Sequence, residues 1–471
     1  MTNQEILAYV NADTTQAMIR SALETLISIP SVSQDAPAPH IFGDASAEAL
    51  DRMLEIADKL GFETENHDYY CGSVLMPGED PSDEIGIIAH LDVVPAVEGW
   101  RYPRFALTVE NGLYIGRGVR DDKGPAVAAL AAMYFFKEKH IRLPFTVRLL
   151  LGCDEERGMG DLPHFLASHA APRFSFSPDS VFPVCVGEKG IAEIEINLGA
   201  LDAGLLSLKG GIVSNAVADT AEAVLDPSLA EQLRALALPA NITLSDRDGK
   251  PCLSAAGKSA HAAEPDGSVN AIVLLAAFLL DSQLLPAESA SAKALRFLCG
   301  TMVDNHGTGL NIAVSDAATG KLSCVCGMAF MRDGQLIMDC NIRYPASYDT
   351  FDPLFARMSA AASAAGYQAS FLSGSTGYVF SPEKPEIAAL TAAFSDMTGL
   401  DAKPYTMGGG TYARNMPNAY ALGAEDPDFV SPFGLFRGDI HQPDECASIS
   451  QLVKTMKVYA RLLLRLDEFE F

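Results

Sequence analysis

Three short apolar runs each end in residues that can bind a metal, and this coincidence constrains the chain more than any other feature. Residues 85–89 run into His90-Leu91-Asp92, residues 145–151 into Asp154-Glu155-Glu156, and residues 174–177 into Pro178-Asp179. Between the first two, residues 125–140 are rich in Ala and Leu and read as a helix. Pro125 suits its first turn, and Lys137 and Lys139 suit its C-terminal end. Strand, helix, strand alternation predicts an α/β domain with a largely parallel sheet. Open sheets of this kind bind ligands at the carboxyl ends of their strands. Three neighbouring strand ends would therefore make one pocket bearing imidazole and carboxylates.

Each cluster has a plainer reading when taken alone. His90-x-Asp92 also fits a strand cap followed by a turn. In the extended reading the two residues share a face, and Asp92 is placed to hold the second ring nitrogen of a ligating His90. Asp154-Glu155-Glu156 also fits a surface turn, although like charges this close are unfavourable without a cation among them. Gly116-Arg117-Gly118-Val119-Arg120-Asp121-Asp122-Lys123-Gly124-Pro125 also fits a helix N-terminus, where Asp is favoured. That accounts for one Asp, and less well for three glycines and two adjacent carboxylates. His441, in Asp439-Ile440-His441-Gln442-Pro443-Asp444-Glu445, adds an imidazole from the C-terminal segment.

The rest of the chain is divided by its patterning. Its 471 residues suggest two or three domains. Residues 1–30 read as a helical segment ended by Pro30, and residues 45–60 as an amphipathic helix closed by Gly61. The middle has strand-like runs at 191–196, 328–330 and 336–343, and helices at 269–280 and 348–365. The expected organisation is a first domain over 1–186, an inserted α+β domain over 187–382, and a return to the first domain over 383–471 that includes an amphipathic helix at 452–466.

Charge and cysteine usage narrow the function. The formal net charge is −26, from 34 basic and 60 acidic residues. Such a surface repels phosphate backbones and anionic membranes, so neither nucleic acid nor membrane is an expected partner. The longest plain apolar run, residues 271–280, is about half of what spans a bilayer. The chain opens without a basic segment leading into an apolar core. Its nine cysteines fit free thiols in a reducing compartment, and the expected location is the cytoplasm. Cys324 and Cys326, two apart in a strand-like run, read as small buried hydrophobes on one face.

Taken together, the His-x-Asp-Val-Val-Pro, Gly-Arg-Gly-x-x-Asp-Asp-Lys-Gly-Pro, Asp-Glu-Glu, Ser-Pro-Asp and His-x-Pro-Asp-Glu elements resemble, in order, the dinuclear-zinc peptidases. That family includes carnosinases, acetylornithine-type deacylases and glutamate carboxypeptidases. The resemblance is greatest to its bacterial peptidase V branch of Xaa-His and general dipeptidases, and covers nearly the whole chain. It implies a zinc-peptidase catalytic domain with a mixed, largely parallel sheet, and an inserted α+β lid. It implies that Asp121 bridges two metals, that His90 and Asp179 complete one ion's ligands, and that Glu156 and His441 complete the other's. Glu155 is then the general base, assisted by Asp92 at His90. Two divalent ions bring about four positive charges, and three carboxylates with a bridging hydroxide bring about four negative ones. Zinc is the expected metal, with manganese or cobalt as alternatives.

The inserted domain adds candidates for substrate contact. Gly257-Lys258-Ser259-Ala260-His261-Ala262-Ala263-Glu264-Pro265 resembles the family's lid motif, whose His reaches the substrate carbonyl. Here Ala262 and Ala263 stand where the family often has Gly or Ser. Asn215 lies in a stretch similar to a substrate-contacting lid segment. Arg343 is a candidate to grip a substrate carboxylate through its planar fork, with a structural ion pair as the alternative. Gly408, Gly409 and Gly410 offer backbone N–H donors for the same group; the Lys-Ser/Thr ending of a phosphate-binding loop is missing. The remaining histidines (His40, His67, His140, His164, His169 and His306) read as structural or surface residues.

The resulting expectation is a metal-dependent dipeptidase whose lid closes over small peptides, as a monomer, with a homodimer as the alternative. An N-acyl-amino-acid deacylase with the same metal site is one alternative. A non-catalytic metal- or peptide-binding relative is another, although it predicts losses among the ligands or the base that the sequence does not have.

Overall fold

The computed structural model describes residues 2–434 and 437–466. The chain divides into two compact units. One comprises Met1–Val186, Phe380–Tyr405 and Thr411–Phe471; the other comprises Gly187–Val379 and Thr406–Gly410.

The first unit is built on a mixed sheet. Strands Phe145–Gly152, Asp80–His90, Phe174–Ser177 and Ala419–Ala421 lie side by side in parallel. Antiparallel Cys71–Met76 and Glu63–His67 extend it beyond Phe145–Gly152 and form its edge. The parallel strands are buried along most of their length, as strands covered on both faces must be. Their carboxyl ends coincide: His90 pairs with Gly152, and Ser177 with Ala421. The residues just beyond, Asp154, Glu155, Glu156 and Asp179, therefore leave the sheet at the same end as His90.

Helix Lys123–Glu138 is buried on nearly every side because its Ala-rich surface lets neighbours approach closely. It packs against helices Asp13–Ile27 and Ile449–Leu466, and these elements share one apolar core. The N-terminal segment, expected to be one helix, is two: Asn3–Val10 and Asp13–Ile27. The break has a local cause. Leu7 O still accepts the helical bond from Asn11 N at 3.3 Å, but Gln16 Nε2 donates to Val10 O at 2.6 Å, so a side chain takes a carbonyl that a continuing helix would use.

The second unit is an antiparallel sheet of eight strands with helices Ala271–Asp281, Ala290–Thr301 and Asp352–Ala364 around its core. Strand Gly190–Ala200 alternates between buried and half-buried residues along most of its length, the pattern of a sheet with one core face. Cys324 and Cys326 are fully buried in that core, and Cys340 lies opposite Cys326. All nine cysteines are free thiols. Thr406–Gly410 groups with this unit: Met407 O accepts from Lys189 N at 3.0 Å, and Thr406 Oγ1 donates to Ala318 O at 2.7 Å.

One residue here makes stability depend on pH. Asp339 is 4% exposed, pairs across the sheet with Glu195, and leaves Oδ1 without a hydrogen-bond partner. Burial first, then the charges of Glu193 and Glu195, push its carboxyl up to about 7. A carboxyl raised above its unfolded value stabilises fully only below that unfolded value, and the contribution is lost as pH rises through the folded one. Asp339→Asn is therefore expected to stabilise the protein at pH 8 by on the order of 2 kcal/mol. The gain should fade toward pH 4, as thermal denaturation across that range would measure.

Candidate metal centre

The loop 116–122 is held in shape from two sides. Gly118 has φ +92°, in the left-handed region, and a Cβ there would press on Val93 and Lys123 at 3.0 Å. Gly124 passes so close to Val119 O that a Cβ would lie 2.0 Å from it. Lys123 is buried, and its Nζ donates to Leu26 O at 2.9 Å and Ile29 O at 2.8 Å, at the C-terminal end of helix Asp13–Ile27. From the other side comes Glu445, fully buried. Its carboxylate accepts from Gly118 N at 3.0 Å, Arg120 N at 3.0 Å and Asp121 N at 3.3 Å, and pairs with the buried Arg117. Strand Cys446–Ser448, paired with Leu113–Ile115, delivers Glu445 to this place.

Asp121 projects from this loop between two imidazoles. His90 Nε2 lies 3.0 Å from Asp121 Oδ1, and His441 Nε2 lies 3.1 Å from Oδ2. His441 is also 3.1 Å from Glu156 Oε2. Two overlapping groups have ligand atoms all within 4.8 Å of one another: His90, Asp121 and Glu156, and His90, Glu155 and Asp179. All five expected ligands thus belong to one connected cluster at the strand ends.

Asp122 does not cap the helix it precedes. Its Oδ2 accepts from His90 N at 3.2 Å, while Oδ1 is buried without a partner. This removes the plain helix-start reading of the paired Asp residues. Asp92 faces His90 with both its backbone and its carboxylate. The nearest oxygen to His90 Nδ1 is the Asp92 carbonyl, at 3.0 Å, and the carboxylate stands off at 3.5 Å. That carboxylate accepts from Glu155 N at 3.1 Å and Glu156 N at 3.0 Å. Asp92 therefore contacts the ring most closely through its backbone, and its carboxylate both faces the ring and holds the acidic loop. Of the three consecutive acids, Asp154 turns away. It accepts from Ser33 Oγ at 2.5 Å, Gly160 N at 3.1 Å and Arg157 Nε at 3.3 Å.

The electrostatics identify what the cluster lacks. Burial, with the charge of Asp179, pushes Glu155 well above the usual carboxylate range; burial with Asp121 does the same to Asp179 and, less strongly, to Glu156. Burial opposes charge on His90 as well, but the Asp121 and Asp92 carboxylates outweigh it and raise the imidazole. Burial likewise opposes ionisation of Asp121, and hydrogen bonds from His441 and His90 overcome it. Among the described residues, no lysine or arginine pairs with Asp121, Glu155, Glu156 or Asp179. Four crowded carboxylates and two imidazoles with no fixed cation suit divalent metal ions.

The second unit gathers the other candidates within itself. Ala262 N donates to Asn215 O at 2.8 Å, and Ala216 bridges to His261, so these segments are neighbours. His261 Nδ1 accepts from Ala263 N at 3.2 Å. Arg343 donates from Nε to Asn341 Oδ1 at 2.8 Å and from Nη1 to Gly408 O at 3.2 Å, next to Gly409 and Gly410. Sequence reasoning assigned no role to Asp122, Lys123 or Glu445. All three stand inside the quoted motifs, but only their contacts show what they do.

Residues 86–465 match the profile of peptidase family M20/M25/M40, and the chain belongs to that family. It is 29% identical over 449 residues to "Putative dipeptidase YtjP" of Bacillus subtilis, covering 90% of this chain and 91% of that one. Among solved structures it resembles the di-peptidase Dug1p of Saccharomyces cerevisiae, with a TM-score of 0.61 at 15% identity over 100% of this chain and 99% of that one. It also resembles human carnosine dipeptidase 1, with a TM-score of 0.60 at 13% identity over 99% of each chain. At these identities the likeness to solved structures speaks for the fold alone.

Proposed function

We propose that this protein is a metal-dependent dipeptidase with Glu155 as its general base. The observation that carries the reading is the cluster of His90, Asp121, Glu155, Glu156, Asp179 and His441, rich in carboxylate and without a lysine or arginine partner among the described residues. The dipeptidase name of the Bacillus subtilis relative, which aligns along nearly its whole length, supports the choice of substrate.

His90 and Asp179 would hold one ion, Glu156 and His441 the other, and Asp121 both. Bound there, two divalent ions would acidify a water and polarise the scissile carbonyl. Glu155 takes the proton from the attacking water and hands it to the leaving amine. Asp92 holds the Glu155 and Glu156 backbone, so the base keeps its place through both transfers. His261 is assigned to the oxyanion. Asn215, Arg343, Gly409 and Gly410 are assigned to the substrate's polar groups, with the Arg343 fork on its carboxylate. Zinc is the proposed metal. The free thiols support a cytoplasmic setting, and the proposed working form is a monomer.

The test uses protein stripped with a chelator and assayed on dipeptides and N-acyl amino acids. Turnover is expected to fall to background on stripping and to return with added zinc or manganese, on dipeptides. Restoration confined to N-acyl amino acids would make the protein a deacylase. Silence on both substrate classes with every metal would overturn the enzymatic reading.

A further inference from the structure

Two histidines outside the metal centre are brought together by the fold. His67 ends the edge strand Glu63–His67, and His169 comes directly after helix Asp161–Ser168. Their rings meet edge to face with centroids 4.7 Å apart. Glu65, two residues before His67, shares its face of the strand. One carboxylate oxygen of Glu65 and one ring nitrogen of each histidine lie within 4.8 Å of one another. We propose that Glu65, His67 and His169 form an additional divalent-metal site, of the zinc class, at the sheet edge of the first unit.

Both rings are already oriented. Ser73 Oγ lies 2.8 Å from His67 Nε2, and Phe165 stacks on His169 at 4.6 Å with ring planes 3° apart. Ordering the ligands beforehand removes part of the entropy that metal binding would cost. The His67 side chain is 9% exposed and that of Glu65 is 47% exposed, so the group is sheltered on one side and open to an entering ion on the other.

Arg148 is the fixed cation beside the group: it reaches Glu65 at 3.2 Å and Ser73 Oγ at 2.8 Å, and shares its charge with Glu84 through bonds of 2.9 and 2.8 Å. Asp68 lies 3.2 Å from the nearby His164. Two imidazoles and one carboxylate make a ligand set that zinc accepts. An ion here would tie the edge strand to helix Asp161–Ser168. The first residue of that helix, Asp161, accepts from Cys153 N at 2.7 Å and Asp154 N at 3.0 Å, directly ahead of Glu155. The ion would therefore be structural, bracing the helix behind the acidic loop.

The experiment equilibrates the holoenzyme with zinc and counts metal per chain by elemental analysis, for the wild type, His169→Ala and Glu65→Gln. His169 lies at a helix end and Glu65 is exposed, so both variants keep the core intact. The wild type is expected to hold one zinc more per chain than either variant, with dipeptide turnover the same in all three. Zinc should also raise the melting temperature of the wild type more than that of the variants. Equal zinc content in all three would overturn the proposal. The comparison is a difference between proteins with the same metal centre, so it stands whatever the fate of the dipeptidase reading.

Discussion

Glu155→Gln is expected to lower kcat for dipeptide hydrolysis by about 10²–10⁴-fold, the range typical of a lost general base. The substitution keeps shape and removes the capacity to accept the proton. Its second measurement is metal content, because the structure places a Glu155 oxygen in one group with His90 and Asp179. A base that binds no ion predicts a full metal complement and a dead enzyme. Loss of one ion together with activity would make Glu155 a ligand, and unchanged turnover would require another base. Glu155 and Glu156 are adjacent and both take their backbone hold from Asp92. Glu156→Gln is accordingly the control, and should lose metal.

Glu445→Ala is expected to cost about 3–5 kcal/mol of folding stability, because it leaves Arg117 as a buried charge without its partner. Arg117 is 1% exposed, so water cannot easily take over. The same change frees the backbone donors of Gly118, Arg120 and Asp121. It should weaken metal binding by about 10–100-fold, as losses behind a metal ligand commonly do. Chelator competition and thermal denaturation read the two effects separately. Glu445→Gln keeps an oxygen for the backbone donors and loses the charge, so it should recover metal affinity more than stability. Equal metal affinity in Glu445→Ala and the wild type would mean that the carboxylate packs the loop without positioning Asp121.

The strand ends were legible in the sequence because a buried parallel strand is a run of apolar residues, and the residues just beyond its last one must emerge at the end of the sheet. His90, the Asp154–Glu156 cluster and Asp179 are therefore placed in one pocket by the sequence pattern. His441 could be added only through the motif resemblance, since nothing local says where the C-terminal loop returns. The broken N-terminal helix was less visible. Gln16 acts through a side-chain bond to a carbonyl, and apolar spacing does not register it.

The alternation of elements, the metal-binding residue types at the strand ends, and the charge that disfavours nucleic acid were determined by the sequence alone. Such properties depend on residue type and spacing along one chain. Tertiary structure alone decided which acid of Asp154-Glu155-Glu156 turns away, which oxygen of Asp92 meets His90, and that Glu445 closes on a loop more than three hundred residues earlier. It also decided that His67 and His169, which carry no signal in the sequence, meet beside Glu65. These outcomes depend on which backbone donors and charged groups are left unpaired when distant segments meet. A buried group takes the partner that packing brings to it, and packing is a property of the whole fold.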